Sequence, residues 1–331
     1  MSTSADASAS VRRLVIGVDT GGTATKGALV TSDGEVQERV EYPTDHSAGT
    51  KGIVSVVDEL LDRASDQGPP LAVGVGVAGF VDLDSGSVTF SPNVIYDDPH
   101  VTQALAARTK LPIAVDNDAN AAVWGERRFG VAQGFDDVAM VTIGTGIGSG
   151  FVVSGRVLRG ANGAAAEAGH TVVEPSGPEC PCGLKGCLEQ LASGNAIARI
   201  ARAEASKDAS TSMLSFAGSI DDITTEHVAK AARQMDEAAR SILRTAGRYL
   251  GIGLSNIVNM FDPEIIVLAG SVTGAGEPFL GPARDQLAQM TLAQRRRPVR
   301  LDVSKLGPDA GIVGAACLAF DLLESQEAGG G

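Results

Sequence analysis

No secretory or membrane segment is evident in this chain. The apolar run Leu14–Val18 is too short for a signal core or a bilayer crossing, and residues 1–10 (MSTSADASAS) are small and polar. A cytoplasmic protein is expected. Basic residues are also scarce: 27 Lys and Arg face 40 Asp and Glu, for a net charge of −13. Apart from Arg295–Arg297 they form no cluster, and a surface of that sign repels phosphate backbones, which argues against a nucleic-acid partner. Cysteine is limited to four residues. In a reducing compartment close cysteines signal metal or catalysis rather than disulfides. Cys317, alone in GIVGAACLAF, reads as inert core. Low-complexity linkers are absent as well.

The other three cysteines share a short window with a histidine: His170, Cys180, Cys182 and Cys187, in EAGHTVVEPSGPECPCGLKGCLEQ. One His and three Cys are the donor set of a closed tetrahedral structural zinc site. A redox pair is disfavoured, because Cys-Pro-Cys offers no strand-to-helix CxxC. Glu167 and Glu189 frame the cluster, so an ordered metal loop would present two carboxylates.

With 331 residues and 44% hydrophobic content, the chain supports two domains with sizeable cores. Leu14–Asp19, Thr25–Thr31 and Val36–Tyr42 read as strands, with a turn at Ser32–Gly34. A helix follows, carrying Ile53, Val56, Leu60, Leu61 and Ala64 on one face. Leu71–Val77 and Pro112–Val115 read as buried strands. The pattern restarts with strands Val138–Ile143 and Gly150–Ser154. A long helical face then runs through Val228, Ala231, Met235, Ala239, Ile242, Ala246 and Tyr249. Strands Glu264–Leu268 and Arg300–Val303, each followed by a helix, close the chain. One fold used twice, with a cleft between the copies, is the expected architecture.

The 41 glycines concentrate in short patterned loops. Asp19-Thr20-Gly21-Gly22-Thr23 and Gly144-Thr145-Gly146-Ile147-Gly148 each join two predicted strands. Neither is a Walker A loop, since no Gly-Lys-Ser/Thr follows and no helix begins there. One such loop reads as a tight hairpin turn. Two at matching positions point to nucleotide phosphates held by successive amides. Asp19 at the rim could then hold Mg²⁺ through water. Asp116-Asn117-Asp118-Ala119-Asn120 falls at a strand end and helix start. Capping accounts for some of these residues, but two carboxylates and two amides in five exceed that need. One carboxylate could take a proton from a hydroxyl that attacks a γ-phosphoryl group.

Together DTGGT, DNDAN, GTGIGSG, RGANGAAAEAGH and CPCGLKGCLEQLASG resemble the ROK family of bacterial sugar kinases and sugar-responsive repressors. NIVNMFDPEIIVLAGSV and DAGIVGAA extend the resemblance to roughly residues 14–320. It implies an α/β fold of the actin-like, hexokinase (ribonuclease H-like) type, with sugar and ATP meeting in the cleft. By resemblance Asp118 is the general base and Asn117 bonds the sugar ring. Glu167, His170 and Glu189 are sugar-hydroxyl ligands, and Gly79 and Asn93 touch the sugar from the small domain. His170, Cys180, Cys182 and Cys187 hold structural Zn²⁺. Asp19, Gly21, Gly22, Thr23, Gly144, Thr145, Gly146 and Gly270 lie at the nucleotide, with Mg²⁺ accompanying ATP. The chain departs from the pattern at Ala24, at Ala269-Gly270-Ser271 and at Ala166 and Ala168, sparing every proposed catalytic and zinc position.

The resemblance thus implies an ATP-dependent hexose kinase, a glucokinase first and otherwise a kinase for N-acetylglucosamine, N-acetylmannosamine, mannose or fructose. A non-catalytic repressor is the remaining reading, disfavoured because the first strand starts near residue 14 and leaves no room for a helix-turn-helix domain. A homo-oligomer, dimer or tetramer, is also implied. The expected organisation is a tail at 1–10, a small domain at 11–117 completed by a helix at 309–323, a large domain at 118–308, and a tail at 324–331.

Overall fold

Leu14-Val-Ile-Gly-Val carries no polar residue, as expected of a strand covered on both faces. In the computed structural model, which describes residues 13–64, 68–91, 94–208, 210–291 and 297–329, this strand is the centre of a sheet. Two compact units form, one from residues up to Ala121 with those from Gly311 onward, the other from Ala122–Ala310. The division falls inside the helix Asp118–Phe129, a little beyond the 117/118 boundary expected.

The first unit holds β1 (Leu14–Thr20), β2 (Ala24–Thr31), β3 (Val36–Pro43) and β4 (Val73–Val77). After a small hairpin of β5 (Phe80–Asp82) and β6 (Ser87–Phe90) comes β7 (Ile113–Asn117). The sheet order is β3-β2-β1-β4-β7, with β1, β4 and β7 parallel and β2 antiparallel to both neighbours. The second unit repeats this with β8 (Val138–Ile143), β9 (Ile147–Val153), β10 (Arg156–Val157), β11 (Ile265–Ala269) and β12 (Arg300–Val303), ordered β10-β9-β8-β11-β12. Here too the first two pairings are antiparallel and the last two parallel. The expectation of one topology used twice holds.

Alternation along β1 builds two cores. Leu14, Ile16 and Val18 pack with Ile53, Val56 and Leu60 of the helix Gly49–Arg63. Val15 faces Ile312, Ala316 and Phe320 of the helix Ala310–Gly329. On that second face β1 and β4 carry Gly17 and Gly74. A Cβ at Gly74 would fall 1.7 Å from the Ala315 carbonyl oxygen, so the helix backbone lies directly on the sheet. Gly74→Ala should therefore cost on the order of 2–3 kcal/mol by overpacking, seen as a lower midpoint of urea unfolding. In the second unit Ala139, Val141 and Ile143 face the helices Glu237–Phe261 and Glu277–Met290, while Val138 and Met140 face Ala122 and Val123.

Two expectations need correction. The long helical face breaks at Met235, which takes a left-handed φ of 66° and is exposed. Asp236 then caps a new helix, its Oδ1 accepting from the Ala239 amide at 2.9 Å. The tail expected from 324 is helical as far as Gly329, and Glu327 pairs with Arg13 at 2.8 Å. The hairpin β5–β6 and the helix Val101–Thr109 were not foreseen. Asn93 and residues 1–10 lie outside the described residues. Among the described residues, no helix is long and apolar enough to cross a membrane.

Candidate active site

In a sheet with parallel strands, ligands gather beyond the strands' carboxyl ends. The chemically promising residues of both units stand there. Asp19 lies next to the end of β1, Gly79 follows β4, Asn117 closes β7 and Asp118 opens the helix after it. In the second unit Gly144 follows β8 and Gly270 follows β11.

The sequence DNDAN divides its labour. Asn117 Oδ1 accepts from the amides of Ala119 (2.9 Å) and Asn120 (3.1 Å), capping the helix, while its Nδ2 donates to the Gly79 carbonyl at 3.2 Å. The side chain expected on the sugar is thus largely spent on structure. Buried Asp116 accepts from Asn120 Nδ2 at 3.0 Å and from the Asn117 amide at 2.8 Å, so this pair is internal scaffolding. Asp118 begins the helix, with Oδ1 accepting from the Ala119 amide at 2.8 Å. A Cβ at Gly76 would stand 3.2 Å from the Asp118 Cα, so this glycine admits the helix start onto the sheet.

Gly21–Thr23 form the tight β1–β2 turn, closed by the Gly21 amide donating to the Ala24 carbonyl at 3.1 Å. Gly22 and Thr23 are exposed. Thr44 fixes the turn by donating to the Gly21 carbonyl at 2.7 Å. Asp19 lies against the amino end of the last helix: a Cβ on Gly311 would meet its carboxylate at 2.5 Å. Burial pushes the Asp19 carboxyl up to about 6, with Lys26 across the strand pair pulling weakly the other way. The folded protein thus binds this proton more tightly than the unfolded chain, and stability falls as pH rises from about 4 through about 6. Asp19→Asn should raise the unfolding midpoint clearly more at pH 8 than at pH 4.5, where the folded carboxyl is still protonated. An equal shift at both values would contradict the buried-charge account.

One neighbour was missed in the sequence. The Tyr96 hydroxyl is buried without a hydrogen-bond partner. Burial, followed by the charges of Asp118 and Asp19, holds its proton on well above the usual phenol range. The nearby Ala78 amide opposes this by more than Asp19 adds, although that amide donates to the Thr20 carbonyl.

In the second unit the cysteine loop is folded by isolated bridges, Val172 to Cys187 and Glu179 to Lys185. One donor atom from each of His170, Cys180, Cys182 and Cys187 lies within 4.8 Å of the others. Cys182 Sγ stands 3.6 Å from Cys187 Sγ, and Cys180 Sγ stands 3.7 Å from His170 Nδ1. A tetrahedron with metal–sulfur bonds of about 2.3 Å has edges of roughly 3.8 Å, so the donor set fits a zinc-sized ion. Burial and the neighbouring thiols push the Cys187 thiol up to about 12. A cation bound among these donors would favour the thiolate.

His170 closes a 3-10 turn, Ala168–His170, that begins beside Glu167. Burial raises the Glu167 carboxyl above its ordinary range; His170 opposes and Glu189 adds to the shift. Ala166, just before it, holds a left-handed φ of 66°, a conformation in which glycine is free of steric cost. Ala166→Gly should therefore stabilise the protein or leave it unchanged, against the usual loss of up to about 1 kcal/mol for glycine in regular structure, as read by thermal melting. Ser149 clamps the same turn, donating to the Ala166 carbonyl and accepting from the Ala168 amide at 2.9 Å.

Gly144–Gly146 form a narrow turn, the Gly144 amide donating to the Gly146 carbonyl at 3.0 Å. Gly144 and Thr145 open onto a cavity of about 550 Å³, a size suited to a small cofactor. Arg202, Glu226 and Arg233 also line it, as do Asn195 and Ser271. None of these was foreseen, because they come together only when three separate segments fold. Gly270 has φ +89° and packs its backbone on Ile143, just outside that lining.

The ROK family model matches residues 15–321. A glucokinase of Thermotoga maritima is 38% identical over 307 residues, covering 92% of this chain and 96% of its own. A glucokinase of Streptomyces coelicolor is 36% identical over 310 residues, with 92% and 97% covered. Among solved structures, a ROK family glucokinase from Streptomyces griseus in complex with glucose and AMPPNP matches with a TM-score of 0.83 at 38% identity. That match spans 93% of this chain and 99% of the other.

Proposed function

The chain belongs to the ROK family, and we propose that it is an ATP-dependent glucokinase, transferring the γ-phosphoryl group of ATP to the 6-hydroxyl of glucose. The observation that carries this reading is its likeness, over nearly the whole chain, to a glucokinase holding glucose and an ATP analogue. The placement of acidic and glycine-rich segments at the carboxyl ends of parallel strands supports it.

In this reading Asp118 takes the proton of the 6-hydroxyl as that oxygen bonds to the γ-phosphorus and the bond to the leaving ADP oxygen breaks. Phosphoryl transfer asks chiefly for positioning and charge neutralisation. Glu167 and Glu189 accept hydrogen bonds from sugar hydroxyls, and His170 adds the ring nitrogen that does not face the cysteines. The amides of Gly144–Gly146 and Gly21–Thr23 hold phosphate oxygens, and the cavity beside Thr145 takes the nucleoside. Mg²⁺, when bound with ATP, neutralises phosphate charge, and Asp19 is the carboxylate suited to orient its waters. Zinc would be held by His170, Cys180, Cys182 and Cys187. Four protein donors leave no open position, so it organises the loop rather than the chemistry. Reduced thiols suit a cytoplasmic enzyme.

The test is a coupled ADP-release assay with glucose, mannose, fructose, N-acetylglucosamine and N-acetylmannosamine. Glucose should give the highest kcat/KM, by about tenfold or more, since a site built around sugar hydroxyls rejects misplaced ones. A higher value for another hexose would reassign the sugar. Silence with every sugar would remove the kinase reading.

A further inference from the structure

Glu189 lies two residues past the last cysteine of the cluster, in the first turn of Glu189–Ala192. Its carboxylate is engaged away from the cysteines. Oε2 accepts from the amide of Ile147, on the far side of the glycine turn, at 2.9 Å. A Cβ on Gly146 would stand 2.4 Å from that same oxygen and 3.2 Å from Cδ. Glycine at 146 is what lets the turn close against the carboxylate. A second tie holds the near side of the turn, where the Gly194 amide donates to the Gly144 carbonyl at 2.8 Å. Both sides of the glycine turn are therefore fastened to one stretch of six residues, 189–194, that starts beside the metal donors.

We propose that Glu189 couples the two ligands of the site: Oε2 sets the shape of the glycine turn while Oε1 takes a sugar hydroxyl, so that either ligand raises affinity for the other. The proposal rests on the reading of Glu189 as a sugar ligand and of Gly144–Gly146 as a phosphate cradle. A carboxylate is a rigid plane. A hydroxyl donating to one oxygen fixes that plane, which fixes the other oxygen and with it the Ile147 amide. The remaining amides of the turn are then aimed before nucleotide arrives. Ordering done by the first ligand need not be repeated by the second, and the coupling is reciprocal.

Titration calorimetry of glucose binding, with and without AMPPNP, tests this on the full chain. In the wild type AMPPNP should tighten glucose binding by about fivefold or more. Gly146→Ala places a methyl group against the flexible end of Glu189, so the fold should survive while the carboxylate is pushed off Ile147. This variant should bind glucose more weakly with no nucleotide present, and its response to AMPPNP should fall toward none. Gly52→Ala, in the helix Gly49–Arg63 and outside the proposed site, makes only an ordinary contact at 3.9 Å and should leave both glucose binding and its response to AMPPNP as in the wild type. If Gly146→Ala is insoluble, Glu189→Asp, one methylene too short to serve both partners, should show the same loss of coupling. A wild type that binds both ligands independently overturns the coupling alone. So does a Gly146→Ala variant with unchanged glucose affinity, or equal weakening by Gly52→Ala. A wild type that binds neither ligand overturns the kinase reading and the coupling with it.

Discussion

Asp118→Asn should lower kcat by roughly 10²–10⁴-fold, the contribution of a well-placed general base, or about 3–5 kcal/mol of barrier. The substitution is close to isosteric. The asparagine Oδ1 can still accept from the Ala119 amide, which Asp118 now holds at 2.8 Å, so the helix start should survive. Asn117, not Asp118, carries the main cap through the Ala119 and Asn120 amides. Glucose affinity measured by calorimetry should consequently change little while turnover collapses. That split separates lost proton transfer from lost binding. A kcat within a fewfold of wild type would place the base elsewhere.

The strand–helix junction at Asn117–Asp118 and the gathering of His170 with three cysteines were legible because their signals are local. A carboxylate at a strand–helix junction and four soft donors in one short window keep their chemistry whatever surrounds them. The doubled sheet was legible for a related reason: glycine turns between strands recur at matching places in the two halves. What depends on distant segments was not legible. Arg202 and Arg233 reach the cavity beside Thr145 only through the packing of separate helices. The Tyr96 hydroxyl becomes notable only once the fold buries it beside the charges of Asp19 and Asp118. Asn117 shows a subtler limit, since its residue type suits both a sugar ligand and a helix cap, and the structure spends its amide oxygen on the cap. The break at Met235 was hidden because an apolar residue there continues the helical period. Only the left-handed turn and the Asp236 cap reveal two helices. The residues from 324 read as a tail from their polar composition, although a helix already seated on the sheet continues as far as Gly329.

Cys187→Ala should strip the bound metal and raise the glucose KM by about 10–100-fold, a typical cost of disturbing a metal site's support, with a smaller loss in kcat. Cys187 is fully buried and bridges to Val172, so its removal opens the centre of the donor set. The collapse should nevertheless stay local. The next residue, Leu188, is itself fully buried and donates its amide to the Thr171 carbonyl at 3.0 Å. A Cβ on Gly253 would fall 2.5 Å from the Leu188 side chain, so that leucine is seated directly on the long helix. Chain beyond residue 188 is thereby anchored without any metal, whereas the His170 carbonyl loses the Cys187 thiol that donates to it at 3.5 Å. Sugar contacts through His170 and Glu167 should weaken first, and the glycine turn held by Glu189 should follow only partly. Cys317→Ala, buried far along the sequence in the last helix, should keep full metal content and wild-type kinetics. Elemental analysis should find about one zinc per wild-type chain, as a single four-donor site requires, and almost none in the Cys187 variant. A metal-free wild type with full activity, or a Cys187 variant with unchanged glucose KM, would show that the loop needs no ion to present its carboxylates.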